Sequence, residues 1–150
     1  MDEDRIIIHS HLQGFMLLDA ITHVGPEHIA GMKRFDSAPF YLALESLAQL
    51  GAYHVRYLTD FSRHAFLLKI SRCAIPQHPH LSGDYLFHGD LLNKSSSSFS
   101  YVIRANGNSP QIEGSFLFAA IDYDRNFRKD TLQNHYRKVF ACLRKNSVKN

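Results

Sequence analysis

Apolar positions change their period three times along the chain, and each change marks a change of element. Residues 15–24, "FMLLDAITHV", are rich in β-compatible types, "GPEH" reads as a turn, and "HIAGMKRF" (28–35) reads as the returning strand of a hairpin. From Pro39 to about Leu58 the period becomes helical. Phe40, Leu44, Leu47, Ala48, Gly51, Val55 and Leu58 recur at three- and four-residue spacing, and Leu42 and Leu50 widen the stripe. Asp36 or Ser37 in "DSAP" is placed to cap this helix, and Pro39 suits its first turn.

Beyond the helix the strand pattern returns. "AFLLKISRCAI" (65–75) reads as a strand and "PQHPHLSGD" (76–84) as a loop. "YLFHGDLLN" (85–93), "SFSYVIRA" (98–105) and "QIEGSFLFAAIDYD" (111–124) read as an antiparallel meander joined at "KSSS" and "NGNSP". The last apolar stripe is helical, with Leu132, Tyr136, Val139, Phe140 and Leu143 inside 127–143. A hairpin, a long buried helix and a run of strands make an α+β class. The reading is one domain over 1–124, with a helical extension over 125–150.

Composition narrows this picture. At 150 residues and 45% hydrophobic, the chain suits a single globular domain. No apolar run approaches the ~18 residues that span a membrane. The acidic opening "MDEDRIII" does not read as a signal peptide, and Cys73 and Cys142 read as reduced thiols of a cytoplasmic protein. The charge is uneven. Residues 125–150 hold eight Lys/Arg against one acid, while the remainder holds nine against thirteen. A basic tail on an acidic body is either a solvated face or a dock for an acidic partner. Arg137, Lys138, Arg144 and Lys145 would form that dock.

One residue breaks the apolar pattern of the long helix. Glu45 stands in "YLALESLAQLGAY", about 100° round from Leu44 and at the edge of the stripe. A carboxylate among apolar neighbours is costly unless it is paired or has a task.

Three segments carry a family resemblance. "HLQGFMLLD" (11–19) resembles the opening H-R-Y-P-F-L-L-V-D of 3-hydroxyacyl-[acyl-carrier-protein] dehydratases, matching at His11, Phe15, Leu17 and Asp19. "LALESLAQLGA" (42–52) resembles their central helix L-x-I-E-A-L-A-Q-x-x-A, matching at Glu45, Leu47, Ala48 and Gln49. "SGDYL" (82–86) resembles their P-G-D-x-L strand opening. The resemblance covers about residues 6–124. It implies a hotdog fold, in which a curved antiparallel sheet wraps a long helix, and it implies a dimer with an acyl tunnel at the interface. By residue match Glu45 is the catalytic acid or base, expected to be partly desolvated at the tunnel wall. Pro39, Phe40, Leu42 and Gln49 become substrate-binding candidates. The implied partner is an acyl carrier protein bearing an acyl thioester. No cofactor, metal or nucleic acid is implied.

The sequence also departs from that family. The H-F-P-G segment, which supplies the family's histidine about fourteen residues before the glutamate, has no counterpart; Gly31 stands there. "APFYLALESLAQ" (38–49) is closer to the short P-A-W-V-G-x-E-x-M-A-Q entry of dehydratase-like proteins of aryl-polyene clusters. Three functions stay open: a hydro-lyase with an unidentified second group, a catalytically reduced acyl-binding subunit paired with a histidine-bearing paralogue, and an acyl thioesterase. His28, His54, His64, His78, His80 and His88 read as surface or hydrogen-bonded histidines, and His11 as structural. "HPH" (78–80) lacks a third ligand in register for a metal.

Overall fold

The computed structural model describes residues 16–74, 80–107 and 111–148. Its elements are β1 (Ala20–Val24), β2 (His28–Pro39), α1 (Phe40–Leu58), β3 (His64–Ser71), β4 (His80–Lys94), β5 (Ser98–Asn106), β6 (Ile112–Ile121) and α2 (Lys129–Val148). The six strands form one sheet in the order β1-β2-β4-β5-β6-β3, with every neighbouring pair antiparallel.

Side chains on β5 and β6 alternate between buried and partly exposed positions, the period-2 signature of a sheet with one face on the core. Phe87, Tyr101, Ile103, Phe116 and Phe118 are fully buried, together with Leu47, Leu50 and Val55 of α1. Gly51 shows how close the helix comes to the sheet. A Cβ there would lie 2.9 Å from Ile103 Cδ1 and would also collide with the Phe118 ring. Glycine lets backbone approach side chain at this one turn of α1.

The junction of β2 and α1 differs from expectation. Neither Asp36 nor Ser37 caps the helix. The strand runs through to Pro39, which takes the N-cap position in an extended conformation with no side-chain cap. The ladder explains this: Ala38 and Pro39 pair with Leu81 and His80 beyond a register shift after Phe35. Ser37 sits within that shift at φ 50°, and its N–H donates to Ser82 Oγ at 3.0 Å. The same pairing draws residues 80–84, expected as loop, into β4. β3 ends at Ser71 and β6 at Ile121, each shorter than the sequence pattern, and β1 begins only at Ala20.

"KSSS" does close a hairpin. Ser95 N–H donates to Ser98 O at 2.8 Å, and Ser95 Oγ accepts from Ser98 N–H at 3.0 Å. The C-terminal stripe also forms its helix. Val139 and Leu143 join the central core, and Tyr136 and Phe140 pack against it. α2 lies along the β1 edge, where Arg144 Nη1 donates to Ile21 O at 3.1 Å and Asn146 Nδ2 to Asp19 O at 3.0 Å. Among the described residues the opposite edge, β3, pairs with β6 alone and exposes Leu67 and Leu68. No helix among the described residues is long and apolar enough to cross a membrane.

Candidate functional site

A cavity of about 280 Å³ lies between α1, β3 and α2. Ala48, Gln49, Ala52, Tyr53 and Arg56 of α1 form one wall. Ala65, Phe66 and Leu67 of β3 form a second, His135, Tyr136, Val139 and Leu143 of α2 a third, and Met16 closes one side. The α1 wall follows from helical spacing. Glu45, Gln49, Ala52 and Arg56 stand at i, i+4, i+7 and i+11, which places them on one side of the helix.

Glu45 is one turn before the cavity wall, about 6 Å along the axis from Gln49, and it is exposed in the single chain. No described residue of the same chain desolvates its carboxylate. Gln49 is half-buried, and its Oε1 accepts the Leu17 N–H at 2.9 Å, tying the segment before β1 to the helix. Of the other substrate-binding candidates, Phe40 is a core residue, Pro39 is the helix N-cap and Leu42 packs against the core; none of the three lines the cavity. His11 and His78 lie outside the described residues. His80 opens β4.

The charged residues of the tail divide. Arg144 is spent on the Ile21 carbonyl, and Arg137 Nη2 donates to Asp60 O at 2.9 Å. Lys138 and Lys145 project into solvent.

His54 is hydrogen-bonded and buried, the second of the two roles its sequence context allows. It is fully buried, with Nε2 2.7 Å from Gly25 O and Nδ1 2.7 Å from Tyr101 Oη. A carbonyl can only accept, so Nε2 carries the proton and the Tyr101 hydroxyl donates to Nδ1. Burial holds His54 neutral by lowering its pKa, and the same cause lowers those of His64 and His135.

Of the substrate-binding candidates only Gln49 lines the cavity, and the residues the sequence did not mark include Arg56, His135 and Tyr136. The Arg56 guanidinium lies 3.7 Å from the Tyr136 ring centroid and 5.0 Å from that of Tyr53. The one available signal was the i+11 spacing of Arg56 from Glu45. Nothing local marks the α2 residues, because they reach the cavity through tertiary packing.

No protein-family model and no curated protein matches the chain. Solved structures do. A mutant thioesterase from Pseudomonas aeruginosa superposes at TM-score 0.57 with 17% identity, covering 68% of this chain and 80% of that one. The dehydratase heterocomplex ApeI:P from Xenorhabdus doucetiae gives 0.60 with 14% identity, covering 78% and 89%. A hypothetical thioesterase with coenzyme A from Streptococcus pneumoniae gives 0.56 with 10% identity, covering 68% and 84%. At these identities the likeness is one of fold. The chain has the hotdog fold: α+β, with a curved antiparallel sheet around the long helix α1.

Proposed function

We propose that the protein binds acyl thioesters and acts on carrier-linked 3-hydroxyacyl groups as a dehydratase-like hydro-lyase, with Glu45 as its acid or base. The observation that carries this reading is the cavity along the α1 face that also bears Glu45. Its walls of alanine, leucine, valine and aromatic side chains suit an alkyl or aryl chain, and Glu45 stands one turn outside, where a thioester would enter.

Dehydration moves two protons. A base takes the C2 proton, and an acid protonates the C3 hydroxyl as it leaves as water, which forms the C2–C3 double bond. Glu45 supplies one of these groups. His135 is the candidate for the other within this chain, being the histidine among the described residues that lines the cavity. Burial favours its neutral form, which is the form a base needs. A histidine from a paired subunit is the alternative donor.

A second reading, hydrolysis, draws on the exposure of Glu45. Water reaches this carboxylate freely, and a thioesterase must activate water.

The test is incubation of the purified protein with 3-hydroxyoctanoyl and octanoyl thioesters of pantetheine and of an acyl carrier protein, followed by mass spectrometry. The hydro-lyase reading expects water loss from the 3-hydroxy substrate, slowed about 100-fold or more in Glu45→Gln. Release of free acid would instead establish hydrolysis. Binding without turnover would leave an acyl-binding subunit, and absence of binding would refute the acyl reading altogether.

A further inference from the structure

Arg56 is a buried cation without a counter-ion among the described residues. It is 6% exposed and lines the cavity. None of the ion pairs among the described residues includes it. Its Nη2 donates to Ala65 O at 3.1 Å, and the rings of Tyr136 and Tyr53 take part of the charge, but its Nε is buried with no hydrogen-bond partner. Two neighbouring groups are orphaned in the same way, His64 Nδ1 and the Tyr123 hydroxyl. The His64 ring lies 6.0 Å from that of Tyr123 and 6.3 Å from that of Tyr136, so both groups belong to the surroundings of the guanidinium.

A desolvated guanidinium is costly to keep unless something repays it, and its planar fork matches a carboxylate. Among the described residues only the Nη2 arm of that fork has a hydrogen-bond acceptor, the Ala65 carbonyl, and no carboxylate meets the fork. The position of Arg56, three helical turns past Glu45 on the same face, puts the unfilled charge at the far end of the cavity from the thioester entry.

We propose that the cavity accepts acyl groups whose distal end carries a carboxylate, and that Arg56 holds that carboxylate. This rests on the acyl-thioester reading above. At about 30 Å³ for each water-sized group, 280 Å³ accommodates a chain of roughly nine such groups. Medium-length dicarboxylic half-thioesters fit that limit. The opposing view is that Arg56 is a packing residue, its charge answered by the two tyrosine rings alone.

Isothermal titration calorimetry of the full chain distinguishes the two. The probes are octanedioyl-pantetheine, with its free carboxylate, and octanoyl-pantetheine. The proposal expects octanedioyl to bind at least tenfold more tightly to the wild type. Arg56→Met should lower that affinity to the octanoyl level, and Arg56→Lys should retain an intermediate preference by keeping charge but losing the fork. Equal affinities in the wild type would overturn the proposal whether or not the variants fold. Free octanedioate is the third probe. If neither thioester binds while octanedioate binds in an Arg56-dependent manner, the carboxylate site stands and the thioester reading falls. If octanedioate fails as well, both fall.

Discussion

Tyr101 and Tyr85 invite the same mutation and should answer it with opposite signs. Both are fully buried aromatic residues on the inner face of the sheet, at 1% and 0% exposure. The Tyr101 hydroxyl donates to His54 Nδ1 at 2.7 Å, whereas the Tyr85 hydroxyl is buried with no partner among the described residues. Tyr101→Phe deletes the donor and leaves a desolvated imidazole nitrogen that no water reaches. A lost hydrogen bond with an orphaned buried partner costs about 1–3 kcal/mol. At about 2–4 °C per kcal/mol for a chain of this size, the melting temperature should fall by roughly 4–8 °C for a mid-range loss. Tyr85→Phe removes a buried hydroxyl that gains nothing from its surroundings, so it should be neutral or about 1 kcal/mol stabilising. Urea denaturation at pH 7.5 measures both, with m-values unchanged. Equal effects of the two substitutions, or a Tyr101→Phe loss below about 0.3 kcal/mol, would refute the assignment of the His54 bridge as a structural tie between α1, β5 and the turn at Gly25.

Stability should decline in mild acid, because His54 is buried neutral. Its folded pKa lies below the unfolded value of 6.5, so the unfolded chain binds more protons under that pH. The contribution is complete above pH 6.5 and is lost as pH falls below it, with a slope of up to about 1.4 kcal/mol per pH unit for this group. Urea midpoints that stay flat from pH 7.5 to 5 would contradict this. Gly51→Ala should destabilise by about 1–3 kcal/mol through overpacking against Phe118 and Ile103, less the ~1 kcal/mol of helix propensity that alanine returns; thermal melts give the sign. On α2, Arg144→Glu should lower stability because it deserts the Ile21 carbonyl. Lys138→Glu and Lys145→Glu should leave the melting temperature unchanged and weaken acyl-carrier-protein binding most at low salt; carrier affinity indifferent to both would leave the lysines a solvated face.

Periodicity revealed the long helix, the meander and the C-terminal helix because each buries one continuous stripe. It placed the start of α1 to within a residue but not its cap, because capping residues are visible at Asp36 and Ser37 while the competing ladder is not. β2 continues to Pro39 only because His80 and Leu81 lie opposite it, more than 40 residues away. "PQHPHLSGD" looked like loop from its prolines and glycine, yet its second half pairs in the sheet, with Gly83 absorbing a positive φ of 94°. The site divides in the same manner. Gln49, which lines the cavity, is legible because it shares one helix and one motif with Glu45. His135 and Tyr136 come from α2, about 80 residues later, so no spacing rule connects them to Arg56. Arg56 stands in "YHVRYL" without a motif to mark it, and its burial follows from the packing of residues 50–56, which are all buried.

The exposed Glu45 and the open β3 edge make one further point about assembly. α2 covers the β1 edge and donates to carbonyls there, whereas β3 has β6 as its one strand partner among the described residues and exposes Leu68 and part of Leu67, with the Ala65 carbonyl accepting from Arg56. An uncovered edge bearing large apolar side chains promotes association. The register shift between Leu67 and Lys69 interrupts the ladder at Leu68, so contact there would depend on side-chain burial as well as strand pairing. The cavity reaches this edge through Phe66 and Leu67. A second chain seated on it would adjoin the cavity and, on the proposed function, would remove water from Glu45. Light scattering at micromolar concentration is therefore expected to give a mass near twice the 17.2 kDa chain. Leu68→Glu should shift that mass toward the monomer and reduce turnover in parallel, since an exposed Glu45 stays solvated. A monomeric wild type with full activity would break the link between edge, desolvation and chemistry, and would leave Glu45 working in open water.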